Sequence, residues 1–171
     1  MGVGQKERYS RMPDRGSAID AQAAVNDVGM QLYRLLSPGD DRVEFTISST
    51  AAVTSPEILA FNESGEFETA EGRVNSLPGS PELWQAVRDL RTTSYKTGVG
   101  TWFSARIVVK PDSSTSATFN YDEEPDWGTL PLDPVAYVTD QEKFPRDENK
   151  QPAWLKEKLA EGRAKLAGRG K

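Results

Sequence analysis

Four carboxylic acids lie close together after a predicted strand, and they are the residues best suited to chemistry or recognition. Residues 120–128 read Asn-Tyr-Asp-Glu-Glu-Pro-Asp-Trp-Gly. Two aromatic residues flank the acids, so the candidate set is Tyr121, Asp122, Glu123, Glu124, Asp126 and Trp127. Between residues 120 and 149 there are nine acidic residues but only two basic ones. The segment therefore predicts a strongly negative region of the surface.

Such a cluster has three chemical interpretations. Two carboxylates can perform acid/base or glycosidic chemistry if burial raises the pKa of one of them. They can also bind a divalent cation, although the Asp-x-Asp-x-Asp-Gly spacing of a calcium loop is absent. Finally, the acids can steer a basic partner towards the aromatic rings, which supply contact area. The structural alternative is a solvated loop with Trp127 turned into the core.

The composition removes most catalytic mechanisms. The chain of 171 residues contains no histidine and no cysteine. Ser-His-Asp and Cys-His pairs, thiolate chemistry, disulfides and the usual zinc sites are therefore excluded. The segment Gly98-Val99-Gly100 lacks the third glycine and the following helix of a dinucleotide-binding motif. We expect no enzymatic activity, no cofactor and no metal.

Charge and hydropathy limit the partners and the cellular location that we expect for this protein. The formal net charge is −5 and hydrophobic residues make up 36% of the chain. Net negative charge does not suit phosphate binding, so we expect no nucleic-acid partner. No apolar run approaches the roughly 20 residues that span a bilayer, and the first residues are charged, so we expect a cytoplasmic protein without a membrane partner.

The elements that position the acids follow from hydrophobic periodicity. A helix beginning at Ser17 carries an apolar stripe at three- and four-residue steps, and Ser80-Pro81-Glu82 begins a second helix. Alternation predicts strands from Arg42, over Glu57–Phe61 and around Glu66–Thr69, and a hairpin follows with its turn at residues 111–114. Two further helices begin near residues 134 and 152.

These elements predict the order α-β-β-β-α-β-β-α-α. Because strands occur in adjacent runs, we expect an α+β domain with an antiparallel sheet of about five strands and helices packed on one face. The domain should span residues 17–166. A flexible arm of residues 1–16 and a disordered basic tail of residues 167–171 should flank it.

A second candidate surface comes from the hairpin. Phe103 and Ile107 alternate inward, so Trp102 and Arg106 are predicted to share the opposite face of the sheet. If that face is open to water, both residues belong to the partner-binding surface. If the terminal helices cover the face, Trp102 is a core residue.

The C-terminal third resembles a known family. Three segments carry the resemblance, which covers about residues 100–160: Phe119 to Pro125, Val135 to Asp147, and Pro152 to Leu155. They are similar to the YezG-like immunity proteins of bacterial polymorphic toxin systems. The resemblance implies a non-enzymatic antitoxin that binds its cognate toxin, a nuclease or an NAD glycohydrolase, and blocks its active site.

Two hypotheses therefore come out of the sequence. In the first, an immunity protein presents its acidic surface to the basic cleft of a cognate toxin. In the second, a carboxylate-based enzyme or small-ligand carrier holds a buried acid in a concave pocket.

Overall fold

The structure is a computed structural model that describes residues 20–170. Within that range the chain forms four α helices and a six-stranded antiparallel sheet, which confirms the α+β class. The helices are α1 (residues 20–33 as described), α2 (Pro81–Thr93), α3 (Val135–Lys143) and α4 (Ala153–Arg169), with a short 3-10 helix at Glu148–Lys150. The strands are β1 (Arg42–Ser49), β2 (Thr54–Phe61), β3 (Phe67–Thr69), β4 (Gly72–Ser76), β5 (Ser104–Val109) and β6 (Thr115–Asn120).

The sheet contains one more strand than we expected. Its order is β3-β4-β2-β1-β5-β6, so β4 lies between β3 and β2 and the first strands do not form a simple meander. Strand β4 was not predicted, because Val74 is its only apolar residue and gives no alternation. Strand β4 is fixed by its partners instead, with Val74 opposite Phe61 on one side and Phe67 on the other.

Helices α1 and α2 cover one face of the sheet. Their inward residues pack on the odd-numbered residues of β1 and β5, and the fully buried members include Val28, Leu32, Leu83, Phe45 and Ile107. The stripe predicted for α1 is therefore confirmed at Val28 and Leu32. Burying such side chains is the main source of stability in a chain without disulfides.

The predicted start of α2 and the predicted turn of the hairpin are both confirmed. Ser80 caps α2, because the Leu83 N–H donates to Ser80 Oγ at 3.1 Å and Pro81 occupies the first turn. The turn between β5 and β6 falls at residues 111–114 as predicted, with Ser113 in the left-handed region at φ 70°.

Helices α3 and α4 form a second, smaller cluster next to the beginning of β5. Phe103, Tyr137 and Trp154 pack edge to face in this cluster, with ring centroids 5.2 to 6.1 Å apart. The two helices approach closely at Gly162, where a Cβ atom would come within 2.6 Å of the Pro134 carbonyl oxygen. The expectation that all helices share one face thus holds only for α1 and α2.

The expected boundaries of the domain need one correction. Helix α4 continues to Arg169, so residues 167–169 are helical and not part of a disordered tail. The predicted arm of residues 1–16, the helix start at Ser17 and the last residue of the tail lie outside the described residues. None of the helices in the described range is both long and apolar enough to cross a membrane.

Candidate functional site

The acidic loop, residues 121–127, connects β6 to the segment before α3, and its backbone is held at both ends. The Trp154 indole Nε1 donates to the Asp122 carbonyl at 2.7 Å. Ser48 Oγ donates to the Asp126 carbonyl at 2.6 Å. These bonds tie the loop to α4 and to β1, which are far away in sequence.

Asn120, the last residue of β6, organises the first half of the loop. Its Oδ1 accepts from the backbone N–H groups of Asp122 and Glu123 at 3.2 and 2.8 Å. Its Nδ2 donates to the Glu123 carbonyl at 2.9 Å. An asparagine that bonds to the chain two and three residues ahead is a standard way of fixing a turn. The loop therefore has one defined backbone course.

The carboxylates of this loop face water. Asp122, Glu123, Glu124 and Asp126 are all exposed. Glu123 and Glu124 form no side-chain hydrogen bond or ion pair with any residue in the described range, whereas Asp126 Oδ1 accepts only from the nearby Gly128 N–H at 2.8 Å. A backbone held in one course thus presents Glu123 and Glu124 with carboxylate oxygens that remain available to a partner.

Arg146 lies beneath the start of the loop and is almost completely buried. Its Nη2 donates to the Thr101 carbonyl at 2.9 Å, and its guanidinium lies 4.6 Å from the centre of the Phe103 ring. Nη1 has no hydrogen-bond partner among the described residues and lies 3.6 Å from Asp122 Oδ1. Burial lowers the pKa of Arg146, and the nearby Asp122 carboxylate opposes that shift. Among residues 20–170, Asp122 is thus the only loop acid that forms an ion pair.

The two aromatic residues of the loop are neither free nor fully buried. Trp127 Nε1 donates to the Tyr137 hydroxyl at 2.9 Å, and burial raises the pKa of Tyr137. Tyr121 packs against the main core, where burial likewise raises its pKa, and Lys96 Nζ lies 5.7 Å from the centre of its ring. Both residues help to anchor the loop while part of each surface stays accessible.

The prediction that Trp102 and Arg106 share a face is wrong. Trp102 is 0% exposed and packs in the main core, 5.9 Å from the Phe119 ring. Arg106 lies on the opposite face with half of its side chain exposed. Strand β5 begins only at Ser104, so its alternation cannot be extended back to Trp102. In this structure Trp102 has no surface with which to contact a partner.

Arg106 belongs to a small ionic cluster on the face that α1 and α2 do not cover. Its Nη2 donates to Glu44 Oε1 at 2.6 Å, and Arg42 Nε donates to the same oxygen at 2.9 Å. The Arg42 guanidinium in turn lies 3.6 Å from the centre of the Phe61 ring. Arg106 is therefore an exposed residue with an internal partner.

A buried ion pair that was not predicted from the sequence joins the two helix clusters. Arg91 of α2 donates from Nη1 and Nη2 to the two oxygens of Asp140 on α3, at 2.5 and 3.0 Å. Asp140 also accepts from the Ala51 N–H at 2.7 Å, and Arg91 Nε donates to the Trp102 carbonyl at 3.0 Å. A signal for Arg91 does exist, since it follows Val87 by four residues and so continues the apolar stripe of α2.

Two of the open grooves formed by the described residues have room for a small ligand, and neither is lined by a buried acid. One of about 550 Å³ lies between α2 and the turn after β1, with Arg88, Arg91 and Lys143 as its charged lining residues. The other, of about 620 Å³, lies on the open sheet face, and its acids Glu57 and Asp126 are exposed.

The buried acids of the described residues are Asp40, Glu44 and Asp140, and each accepts hydrogen bonds from internal donors. No group of three or more acids that could hold a metal ion occurs between residues 20 and 170. The grooves and the buried acids therefore add no support to the carboxylate-enzyme hypothesis.

Comparison with known proteins does not assign a family. A scan against protein-family models finds none that matches the chain, and a search of curated proteins finds no match either. The resemblance of the C-terminal third to immunity proteins therefore stays a prediction.

Proposed function

We propose that this protein is a cytoplasmic immunity protein that binds a bacterial toxin domain and blocks its active site with the acidic loop. The observation that carries the proposal is the contrast within that loop. Its backbone is held by Asn120, Ser48 and Trp154, while Glu123 and Glu124 are exposed and have no partner in the described part of the chain.

This arrangement favours binding for two physical reasons. A loop that already has its bound backbone course loses little conformational entropy on association. Carboxylates without internal partners can accept charge-assisted hydrogen bonds from lysine or arginine without breaking existing ones. Their summed negative charge also attracts a basic cleft at long range and raises the association rate.

The chemistry of the partner follows from the same charges. An enzyme that acts on a phosphate-bearing substrate needs basic groups in its cleft, and a row of carboxylates can occupy such a cleft in place of phosphate. NAD carries a pyrophosphate and a nucleic acid carries one phosphate per nucleotide. The proposal therefore covers both toxin classes implied by the resemblance of residues 119–155.

The test begins with the genes beside this one, where we expect a gene for a toxin domain, and continues with co-expression of that domain. We expect the wild-type chain to restore growth and to co-purify with the toxin. The double variant Glu123→Lys and Glu124→Lys should associate at least about tenfold more slowly at low salt, because the steering charge is reversed. Its matched control is Glu66→Lys with Glu68→Lys, which makes the same charge change at exposed positions near the opposite sheet edge.

Two results would contradict the proposal. One is failure of the wild-type chain to bind the neighbouring toxin or to protect cells from it. The other is an equal loss of association in the loop variant and in the control, since that would show an effect of net charge alone.

A further inference from the structure

Strand β6 ends the sheet, and its outer edge is free of any described strand. It pairs with β5 from Ser104 opposite Asn120 to Val109 opposite Thr115. The sheet order places no strand of residues 20–170 beyond it. The backbone groups on its outer side therefore need another partner or water.

The hydrogen-bond pattern shows which groups those are. The Lys110 N–H donates to the Ser114 carbonyl at 3.1 Å, and the Ser49 N–H donates to the Phe103 carbonyl at 2.8 Å. Because bonded and non-bonded pairs alternate in antiparallel sheets, odd residues of β5 bond to β1 and even residues bond to β6. Ser116 and Thr118 thus bond to β5, the Asn120 carbonyl accepts from the Phe103 N–H just before β5 at 2.7 Å, and the N–H and C=O groups of Thr115, Ala117 and Phe119 point outward. No described residue is hydrogen-bonded to these outward groups.

This edge also lacks the features that usually prevent pairing. Natural edge strands are often short, charged or interrupted by proline. Strand β3, at the opposite edge, has three residues and includes Glu68. Strand β6 has six residues and contains neither a charge nor a proline. It is long enough to bond with an added strand.

We propose that the outer edge of β6 accepts an extended basic segment of the partner as a seventh strand of the sheet. The occupant follows from the charge next to the edge, because β6 runs directly into the acidic loop and an added strand would end beside Asp122 and Glu123. A second copy of this chain fits the edge less well. If two β6 strands paired antiparallel, each acidic loop would lie beside the β5–β6 turn of the other copy, where the opposite charges of Lys110 and Asp112 cancel. The inference rests on the proposed function for the identity of the partner and adds how that partner is held.

The first experiment measures amide hydrogen exchange in the full-length chain by NMR. In the free chain we expect rapid exchange at Ala117 and Phe119 and slow exchange at Ser116 and Thr118. A synthetic peptide Lys-Lys-Val-Thr-Val-Thr-Val-Lys-Lys should protect the two outward amides. The same peptide with glutamate in place of lysine should bind at least about tenfold more weakly. Slow exchange of the outward amides in the free chain would overturn the inference, because it would show that the edge is already covered.

Two variants test the edge directly. Ala117→Pro removes an outward N–H while leaving the bonds to β5, a position at which edge strands tolerate proline, and it should abolish peptide binding. If this variant fails to fold, Thr118→Lys serves instead. The added lysine lies on the exposed strand β6, and its positive charge should repel the lysine peptide. Ser76→Lys, on the same sheet face in β4, is the matched control and should bind normally. Unchanged binding by Ala117→Pro or by Thr118→Lys would overturn the inference.

The proposed function and this inference can fail separately. If the Glu123→Lys, Glu124→Lys variant loses toxin binding while Ala117→Pro retains it, the acidic loop is the interface and the edge is not. If the lysine peptide binds the edge but the wild-type chain does not protect cells from the toxin, the edge site stands and the proposed function is wrong.

Discussion

The Arg91–Asp140 pair and the acidic loop use carboxylates in opposite ways. At the buried pair the side chain is the structural element, because Asp140 accepts hydrogen bonds from Arg91 and from the Ala51 backbone. In the loop the backbone is the structural element, because Trp154 and Ser48 bind carbonyl groups and leave the carboxylates exposed. This difference shows when an acid is available to a partner. Its carboxylate stays free if the bonds that stabilise the fold are made by its backbone and not by its side chain.

The largest expected loss of stability follows from breaking the buried Arg91–Asp140 pair. Asp140→Ala should destabilise the protein by about 3–5 kcal/mol, because it leaves the Arg91 guanidinium buried without its anion. The free energy of unfolding in urea measures the loss. Glu123→Ala is the control, since its carboxylate is exposed and forms no ion pair with any described residue, so it should change stability by less than about 1 kcal/mol. Equal losses in the two variants would remove the distinction between the regions.

The second largest expected effect concerns Trp127, which is less buried than the Arg91–Asp140 pair and less exposed than the loop acids. Trp127→Ala removes the donor to the Tyr137 hydroxyl and part of the packing beneath the loop, so it should cost about 1–3 kcal/mol. Trp127→Phe keeps a ring but not the N–H, and comparing the thermal midpoints of both variants separates packing from the hydrogen bond. Full wild-type stability of Trp127→Ala would show that this ring serves a partner and not the loop.

Local signals were enough to predict most of the fold. Ser80 with Pro81 marks a helix start through groups that act within a few residues, and Val28 with Leu32 marks a buried face by spacing alone. Strand β4 has no such signal, because its pairing with β2 and β3 depends on contacts made elsewhere in the chain. Trp102 was placed on the wrong face because alternation holds only inside a strand, and the strand starts two residues later.

The acidic loop itself could be predicted from its composition, but its anchoring could not. The bonds from Ser48 and Trp154 join residues 78 and 32 positions apart, and nothing local marks them. The partner of Arg91 is likewise 49 residues away. Long-range polar contacts of this kind depend on how elements pack, so the exposed acids could be identified from the sequence but the groups that hold their backbone could not.

The third prediction concerns the exposed acids of the acidic loop and their contribution to stability. Glu123→Lys with Glu124→Lys should change the free energy of unfolding by no more than about 0.5 kcal/mol, because neither side chain forms a hydrogen bond or ion pair with any of residues 20–170. Urea unfolding at low and at high salt measures this. A destabilisation comparable to that of Asp140→Ala would mean that these acids hold the fold and are not free for a partner.

The smallest effect concerns Asp133, an exposed acid that does have internal partners. Its Oδ1 accepts from the Val135 N–H at 3.0 Å, and its Oδ2 lies 3.2 Å from Lys165 and 3.6 Å from Arg169 of α4. The backbone hydrogen bond, with smaller contributions from Lys165 and Arg169, lowers the pKa of Asp133. Because the folded pKa lies below the unfolded one, the carboxylate stabilises the fold above the unfolded pKa of about 3.9 and loses that effect as pH falls through the folded pKa.

Asp133→Asn should therefore be slightly less stable than wild type near neutral pH and equal to it in strong acid. The difference in free energy of unfolding between the two proteins, followed from about pH 7 to about pH 2, isolates this residue from the other acids that titrate in the same range. High salt should also reduce the difference, because ion pairs on the surface are screened. If the difference between Asp133→Asn and wild type is the same at every pH, exposure alone decides what an acid contributes here, and the internal partners of Asp133 add nothing.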